Sequence, residues 1–203
     1  MKTQTALKQL KEFKKNISEI RLAAEKWGSD WKRLISILMS ARTRDETTIV
    51  VAEKLFKKYP SIKKLSEAKL NELQKIIKPI NFYRNKSKNI LKCSKIIVKE
   101  HKSKIPHDIE KLIKLPGVGR KTANVFLAER GHDAIGVDVH VSYCSQKMGW
   151  TKSSKPEKIE EDLEKLFPKK YWKELNSTLV RFGKTHTSRK KRDIILERIK
   201  KIK

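Results

Sequence analysis

Apolar residues recur at helical spacing along nearly the whole chain. Leu7, Leu10, Phe13, Ile17 and Ile20 step by three or four and mark one apolar stripe. Leu34, Ile35, Leu38 and Met39 predict a second helix, dense enough in apolar side chains to be buried. Ile49, Val50, Ala52, Leu55 and Phe56 predict a third, closed by the break at Tyr59 and Pro60. The pattern repeats around Leu70/Leu73/Ile76/Ile77, Ile90/Leu91/Ile96/Ile97 and Ile109/Leu112/Ile113. Pro156, well suited to a first helical position, opens a helix through Ile159, Leu163, Leu166 and Phe167, with Ser154 or Lys155 before it. Another helix runs through Trp172, Leu175, Leu179 and Phe182, and a last short one carries Ile194, Ile195, Ile199 and Ile202. Strand-like alternation is confined to a brief apolar patch at Ala134–Val141. The fold class is all-α.

Composition narrows the partners. The 203 residues are enough for one or two small domains with real cores. The sequence holds 50 Lys+Arg against 23 Asp+Glu, a formal net charge of +27 that points to a polyanion, nucleic acid ahead of anionic membrane. Two cysteines, Cys93 and Cys144, are too few for a disulfide framework or a four-thiolate metal site, so a reduced, intracellular setting is expected. No apolar run approaches the ~18–20 residues of a membrane span, and no secretory apolar core opens the sequence.

One interruption of the helical pattern carries chemistry. The stretch KLPGVGRKTANV, residues 114–125, breaks a helix with Pro116, Gly117, Val118 and Gly119 and restarts it at about Arg120. The glycines permit positive φ and close backbone approach, which a Cβ would block. The first turn of the restarted helix then aims N–H groups and the positive end of its dipole out of the turn, an anion site. For so basic a chain the anion is a nucleic-acid phosphate, gripped by backbone without reading sequence. A plain αα turn with ordinary glycine caps is the competing interpretation of the short turn alone.

The wider stretch LPGVGRKTANV (115–125), followed by GVDVH (136–140), resembles the endonuclease III family of helix–hairpin–helix DNA glycosylases. ILMSARTRD (37–45) and NFYRNKSKNI (81–90) are similar to two further segments of that family, and the resemblance covers roughly residues 25–186. It implies a two-lobed fold with a DNA-binding cleft between the lobes. One lobe would be a helical barrel over 28–133, carrying the hairpin at about 107–130. The other would combine 1–27 with 134–203.

The resemblance also assigns roles. Lys121 matches the family nucleophile and Asp138 its carboxylate partner. Lys121 would attack C1′ of the damaged nucleotide, expel the base and form a Schiff base, and β-elimination would then cut the strand. A lysine amine is protonated at neutral pH and cannot attack; a helix N-terminus, Arg120 alongside and a dry cleft would favour the neutral form. Asp138 would stabilise the cationic sugar, as carboxylates do in glycoside hydrolysis; as an ordinary residue it would be the N-cap before His140 and Val141, and the two roles are compatible. Gly117, Val118, Gly119, Arg120 and Thr122 form the phosphate grip. Arg42 and Asp45, from the loop after the early buried helix, Phe82 as wedge with Tyr83 beside it, and His140 complete the expected DNA contacts. Phe82 and Tyr83 are equally consistent with core rings. Relatives often carry glutamine where this chain has Arg42, which alters the expected preference for the opposite base.

Many relatives hold a four-iron, four-sulfur cluster on four cysteines near the C-terminus. Here GKTHTSRKKRD (183–193) has none, so no cluster, no metal and no other cofactor is expected. Lys184, Arg189, Lys190 and Lys191 remain as candidate phosphate contacts, held by the Ile194/Ile195/Ile199 helix, unless the run is simply solvated surface. The implied function is base-excision repair by a bifunctional glycosylase and abasic-site lyase, acting as a monomer on double-stranded DNA that carries a damaged base, an oxidised pyrimidine by resemblance, or an abasic site. The expected location is cytoplasmic and nucleoid-associated, or nuclear in a eukaryote, without membrane contact. The alternatives are a mismatch or oxidised-purine glycosylase of the same superfamily, or a non-catalytic DNA-binding hairpin module.

Overall fold

A computed structural model describes all 203 residues, and twelve α-helices with one 3-10 turn account for its regular structure. The chain divides into two compact units, one formed by Met1–Ile20 with Leu127–Lys203 and the other by Arg21–Phe126.

The Arg21–Phe126 unit holds α2 (Asp30–Ser40), α3 (Asp45–Lys58), α4 (Ile62–Ser66), α5 (Leu70–Ile77), α6 (Tyr83–Glu100), α7 (Ile109–Leu112) and most of α8 (Arg120–Glu129). Six consecutive residues of α2, Leu34 to Met39, are buried, as its nearly uninterrupted apolar sequence requires. It packs on α3 and α6, and α4 and α5 also pack on α6. The core face of α3 is Thr48, Val51, Ala52, Leu55 and Phe56. Val50, expected inside, is 52% exposed, because the helical phase turns its neighbour Val51 to the core instead. Ile113 likewise lies outside α7 and is exposed.

The other unit holds α1 (Thr3–Lys15), α9 (Val139–Met148), α10 (Pro156–Leu166), the 3-10 turn Lys169–Tyr171, α11 (Trp172–Thr185) and α12 (Arg189–Lys200). Pro156 does open α10, with Lys155 at the N-cap position. Ala6, Leu10 and Phe13 of α1 join a core with Val141, Ile159, Leu163, Leu175, Leu179 and Phe182. Phe13 meets Phe182 edge-on at 4.7 Å between centroids, and Trp150 meets Phe167 in the same way at 4.9 Å. The buried Gln9 accepts from the Trp150 indole N–H at 2.7 Å and donates to the Lys200 and Ile202 carbonyls, which fixes the end of α12.

The α1 stripe stops short of its expected length. Asn16 turns its side chain back to the Glu12 carbonyl at 2.9 Å, so the helix ends at Lys15 and Ile17 and Ile20 fall beyond it. In α12, Leu196 and Ile199 are buried, Ile195 packs partly buried against the core, and Ile194 is 64% exposed, so the core face excludes the expected Ile194. The division at residues 20/21 also differs from the expected 27/28. Residues 21–27 are tied into the Arg21–Phe126 unit by Arg21 with Glu53, by the Ser36 hydroxyl on the Ala23 carbonyl, and by Trp27 edge-on to Phe56. The second boundary falls at 126/127 rather than 133/134, and Asp133 pairs with Lys169 of its own unit at 3.1 Å.

Candidate active site and nucleic-acid interface

The short α7 is capped by Asp108, whose carboxylate accepts from the Lys111 N–H at 2.9 Å. Beyond it the Leu115 N–H reaches the Leu112 carbonyl and the Val118 N–H reaches the Leu115 carbonyl, each at 3.0 Å. Leu115 and Val118 are buried and anchor the turn, while Gly117 and Gly119 are exposed. Gly117 takes φ +84°, the left-handed region, and a Cβ there would stand 3.0 Å from Asn89 Cβ on α6. Gly119 has no such constraint: its φ lies outside that region, and no atom lies within 4 Å of a Cβ placed on it. Val118 differs from its expected part in the grip, since its side chain is in the core and its amide is spent inside the turn.

Helix α8 restarts at Arg120, and Ala123 is the first residue whose N–H reaches back, to the Gly119 carbonyl at 3.0 Å. The N-terminal end of the macrodipole therefore lies at Gly119–Thr122. Arg120 and Lys121 are exposed, Thr122 is half-buried, and Ala123, Asn124 and Phe126 face the core. The dry surroundings expected for Lys121 are absent from the protein alone.

Asp138 caps α9. Its Oδ1 accepts from the His140 and Val141 N–H groups, both at 2.9 Å. The segment before it is buried from Ala134 to Val137, and the buried Asn176 amide donates to the Gly136 carbonyl. The His140 ring lies against Gly183 of α11, where a Cβ would fall 2.1 Å from Nδ1. Gly183 is thus required as a glycine by a side chain 43 residues away in sequence, a pairing with no local signal. Lys121 belongs to the Arg21–Phe126 unit and Asp138 to the other.

The segments around Arg42 and Phe82 come together. Arg42 (φ +56°) and Phe82 (φ +58°) are both left-handed, and the Arg42 guanidinium lies 5.8 Å from the Phe82 ring centroid. Phe82 is 59% exposed, which removes it from the core; Tyr83 is half-buried and carries the Arg84 guanidinium over its ring. Asn81 bonds both sides of the loop, its side chain on the Arg42 carbonyl and its N–H on Thr43 Oγ1 at 3.1 Å. Asp45 is buried in the first turn of α3. Lys86, one turn into α6, donates to the Met39 carbonyl at 2.7 Å and to the Ala41 carbonyl, and burial pushes its ammonium down to about 8. Among so many lysines nothing in the sequence singled it out.

The basic run is not a loop carried by a helix but the first turn of α12 itself, with Arg189, Lys190 and Lys191 exposed and Lys184 half-buried on α11. Arg192 lies 4.4 Å from the Tyr143 ring centroid, and Asp193 accepts from the Tyr143 hydroxyl. That hydrogen bond, with Lys147 nearby, holds the Asp193 carboxyl below the usual range. An iron–sulfur cluster asks for four thiolates. The two cysteines lie buried on α6 and α9, and burial pushes both thiols up to about 12. These residues do not fit a cluster, and no group of three or more His, Cys, Asp or Glu side chains could hold a metal ion. No helix is long and apolar enough to cross a membrane.

A glycine-bearing turn between helices, with an exposed lysine in the first turn beyond it, places this all-helical protein in the helix–hairpin–helix class. Residues 35–169 match the family described as HhH-GPD superfamily base excision DNA repair protein. Endonuclease III of Thermotoga maritima is 42% identical over 152 residues, covering 74% of this chain and 71% of that protein. Endonuclease III of Bacillus subtilis is 39% identical over 157 residues, with 75% and 71% covered. A solved non-covalent endonuclease III–DNA complex superposes with a TM-score of 0.85 at 31% identity, covering 93% of this chain and 89% of that one. A trapped endonuclease III–DNA covalent intermediate gives 0.84 at the same identity and coverage. The chain belongs to the endonuclease III-like family of this superfamily, enzymes of base-excision DNA repair with glycosylase and abasic-site lyase activity.

Proposed function

We propose that this protein removes a damaged base, an oxidised or ring-saturated pyrimidine, from double-stranded DNA and cleaves the resulting abasic site through a Schiff base on Lys121. The observation that carries the reading is the exposed Lys121 in the first turn of α8, directly after the hairpin. The amides of Gly119 and Arg120 and the helix dipole hold a backbone phosphate, and bound DNA supplies the desolvation that the free protein lacks. The neutral amine adds to C1′ and the base leaves with the glycosidic electron pair. The ring then opens to an imine, and loss of the C2′ proton expels the 3′ phosphate. Asp138, held by two amides at the α9 N-terminus, favours the cationic sugar in the transition state. Arg42 and Phe82 face the strand opposite the lesion, with Phe82 filling the space left by the extruded nucleotide.

In this reading the protein works as a monomer without a metal cluster, in the compartment that holds the DNA. Borohydride should trap wild-type protein on a lesion duplex, and Lys121→Ala should abolish trapping while duplex affinity persists. Equal trapping by Lys121→Ala would place the nucleophile elsewhere.

A further inference from the structure

We propose that Lys86 is a positioning residue that locks Arg42 and Phe82 into the arrangement that reads the strand opposite the lesion. The inference rests on the DNA-binding part of the reading above. It begins with the end of α2, where the last carbonyls have no partner within the helix and ordinarily turn to water. Here a side chain from 45 or more residues away takes them: Lys86 Nζ donates to the Met39 carbonyl at 2.7 Å and to the Ala41 carbonyl, with Thr43 Oγ1 at 3.5 Å. Three oxygens thus face the three N–H bonds of an ammonium.

On α6, Lys86 stands one turn beyond Phe82, and its own N–H bonds the Phe82 carbonyl at 3.0 Å. One residue therefore grips both segments, from the backbone of Phe82 on one side to the carbonyls just before Arg42 on the other. Asn81 adds a second tie, from its side chain to the Arg42 carbonyl and from its N–H to Thr43.

Arg42 and Phe82 need holding. Both are non-glycine residues at positive φ, a state that persists only where the surroundings over-determine it and that collects at functional sites. Both are also exposed, so no core packing of their side chains enforces the geometry. Lys86 bears a cost as well. Burial lowers its proton affinity, and the acceptors it meets are two carbonyls and a hydroxyl, not a carboxylate. A lysine kept half-buried on uncharged acceptors, beneath two strained and exposed side chains, is explained by what it fixes.

The test uses full-length protein with Lys86→Met and Asn81→Ala. Affinity is measured for a duplex bearing a tetrahydrofuran abasic analogue opposite each of the four bases, and tryptic cleavage after Arg42 and Arg44 is followed in the free protein. Wild type should spread its four affinities by about tenfold or more. Lys86→Met should compress that spread to about twofold and speed tryptic cleavage after Arg42 and Arg44, with a smaller effect of the same kind for Asn81→Ala. Asn81 is exposed and carries the comparison if Lys86→Met fails to fold. A uniform loss across all four bases, an unchanged spread, tryptic cleavage no faster than in wild type, or a wild type indifferent to the opposite base would each overturn the proposal. A wild type that shows the spread yet neither cuts nor traps lesion DNA would refute the catalytic reading and leave Lys86 in its role.

Discussion

Alanine at each of the two hairpin glycines should have opposite consequences. At position 117 the backbone is left-handed, φ +84°, and a Cβ would come within 3.0 Å of Asn89 Cβ and 3.1 Å of its Nδ2. The left-handed state costs a residue with a Cβ ~1–2 kcal/mol. The Asn89 contact adds to that, and the stiffer unfolded chain returns ~0.4–1 kcal/mol. A net loss of ~1–2 kcal/mol lowers the melting temperature by ~2–8 °C in a chain of this length. At position 119 neither penalty exists, since φ is ordinary and nothing lies within 4 Å of the added methyl. Gly119→Ala should melt with wild type or slightly above it, by up to ~1 kcal/mol of unfolded-state entropy.

Duplex binding should reverse the sensitivity. The methyl at 119 projects from the exposed turn beside the first amides of α8 and holds a phosphate off them. One charge-assisted hydrogen bond, ~1.5–3 kcal/mol, corresponds to about tenfold or more in affinity. Thermal unfolding followed by circular dichroism gives the first quantity, and anisotropy titration with labelled duplex at one fixed salt gives the second. If Gly119→Ala is destabilised as much as Gly117→Ala, or binds duplex as tightly as wild type, position 119 is not open for DNA and the argument fails.

Three further outcomes are expected. Asp138→Asn keeps an N-cap acceptor for the His140 and Val141 amides, so stability should hold within ~0.5 kcal/mol while single-turnover base excision falls by about a hundredfold; unchanged excision would remove the carboxylate from the mechanism. Lys86 releases its proton at about 8 when folded and near ~10.4 when unfolded, so between those values the unfolded chain binds more protons and stability rises with pH. Denaturant titrations of wild type and Lys86→Met at two pH values spanning that window should show the difference moving in favour of wild type as pH rises; a difference independent of pH would contradict the buried position. Changing Arg189, Lys190 and Lys191 to glutamine should reduce the slope of log K against log salt by about one unit per lost phosphate contact, and an unaltered slope would leave that turn as solvated surface.

What could be read from the sequence was whatever rests on local stereochemistry. The hairpin, the Asp138 cap and Pro156 at the start of α10 each depend on a few adjacent residues with distinct backbone demands. Rotational phase was less legible wherever two apolar residues adjoin. Val50 and Val51 serve a helix equally by type, and only packing against the neighbouring helices decides which turns inward. Long-range pairings left no trace. Gly183 looks like any helix glycine until His140 is placed against it, and Lys86 like any lysine until the carbonyls of Met39 and Ala41 converge on it. The left-handed states of Arg42 and Phe82 were hidden for a related reason: neither is a glycine or asparagine, and the ties that enforce them come from 38 or more residues away.

The C-terminal helix α12 is held by side-chain contacts along its later turns. Its first turn works against itself, because Arg189, Lys190 and Lys191 crowd the positive end of their own helix dipole and Ser188 supplies no side-chain cap. Packing elsewhere must overcome that. Leu196 and Ile199 are fully buried, Tyr143 is bonded to Asp193 and covered by Arg192, and Gln9 holds the carbonyls of Lys200 and Ile202. Arg198 reaches Asn16 at 2.9 Å. The buried anchors lie from Leu196 onward, and of the three exposed cations Arg189 lies over the Tyr143 ring, 6.0 Å from its centroid. A bound phosphate would turn their mutual repulsion into attraction and complement the same helix dipole that disfavours them in the free protein. The charge repulsion in this turn and its proposed role on DNA therefore have one electrostatic origin.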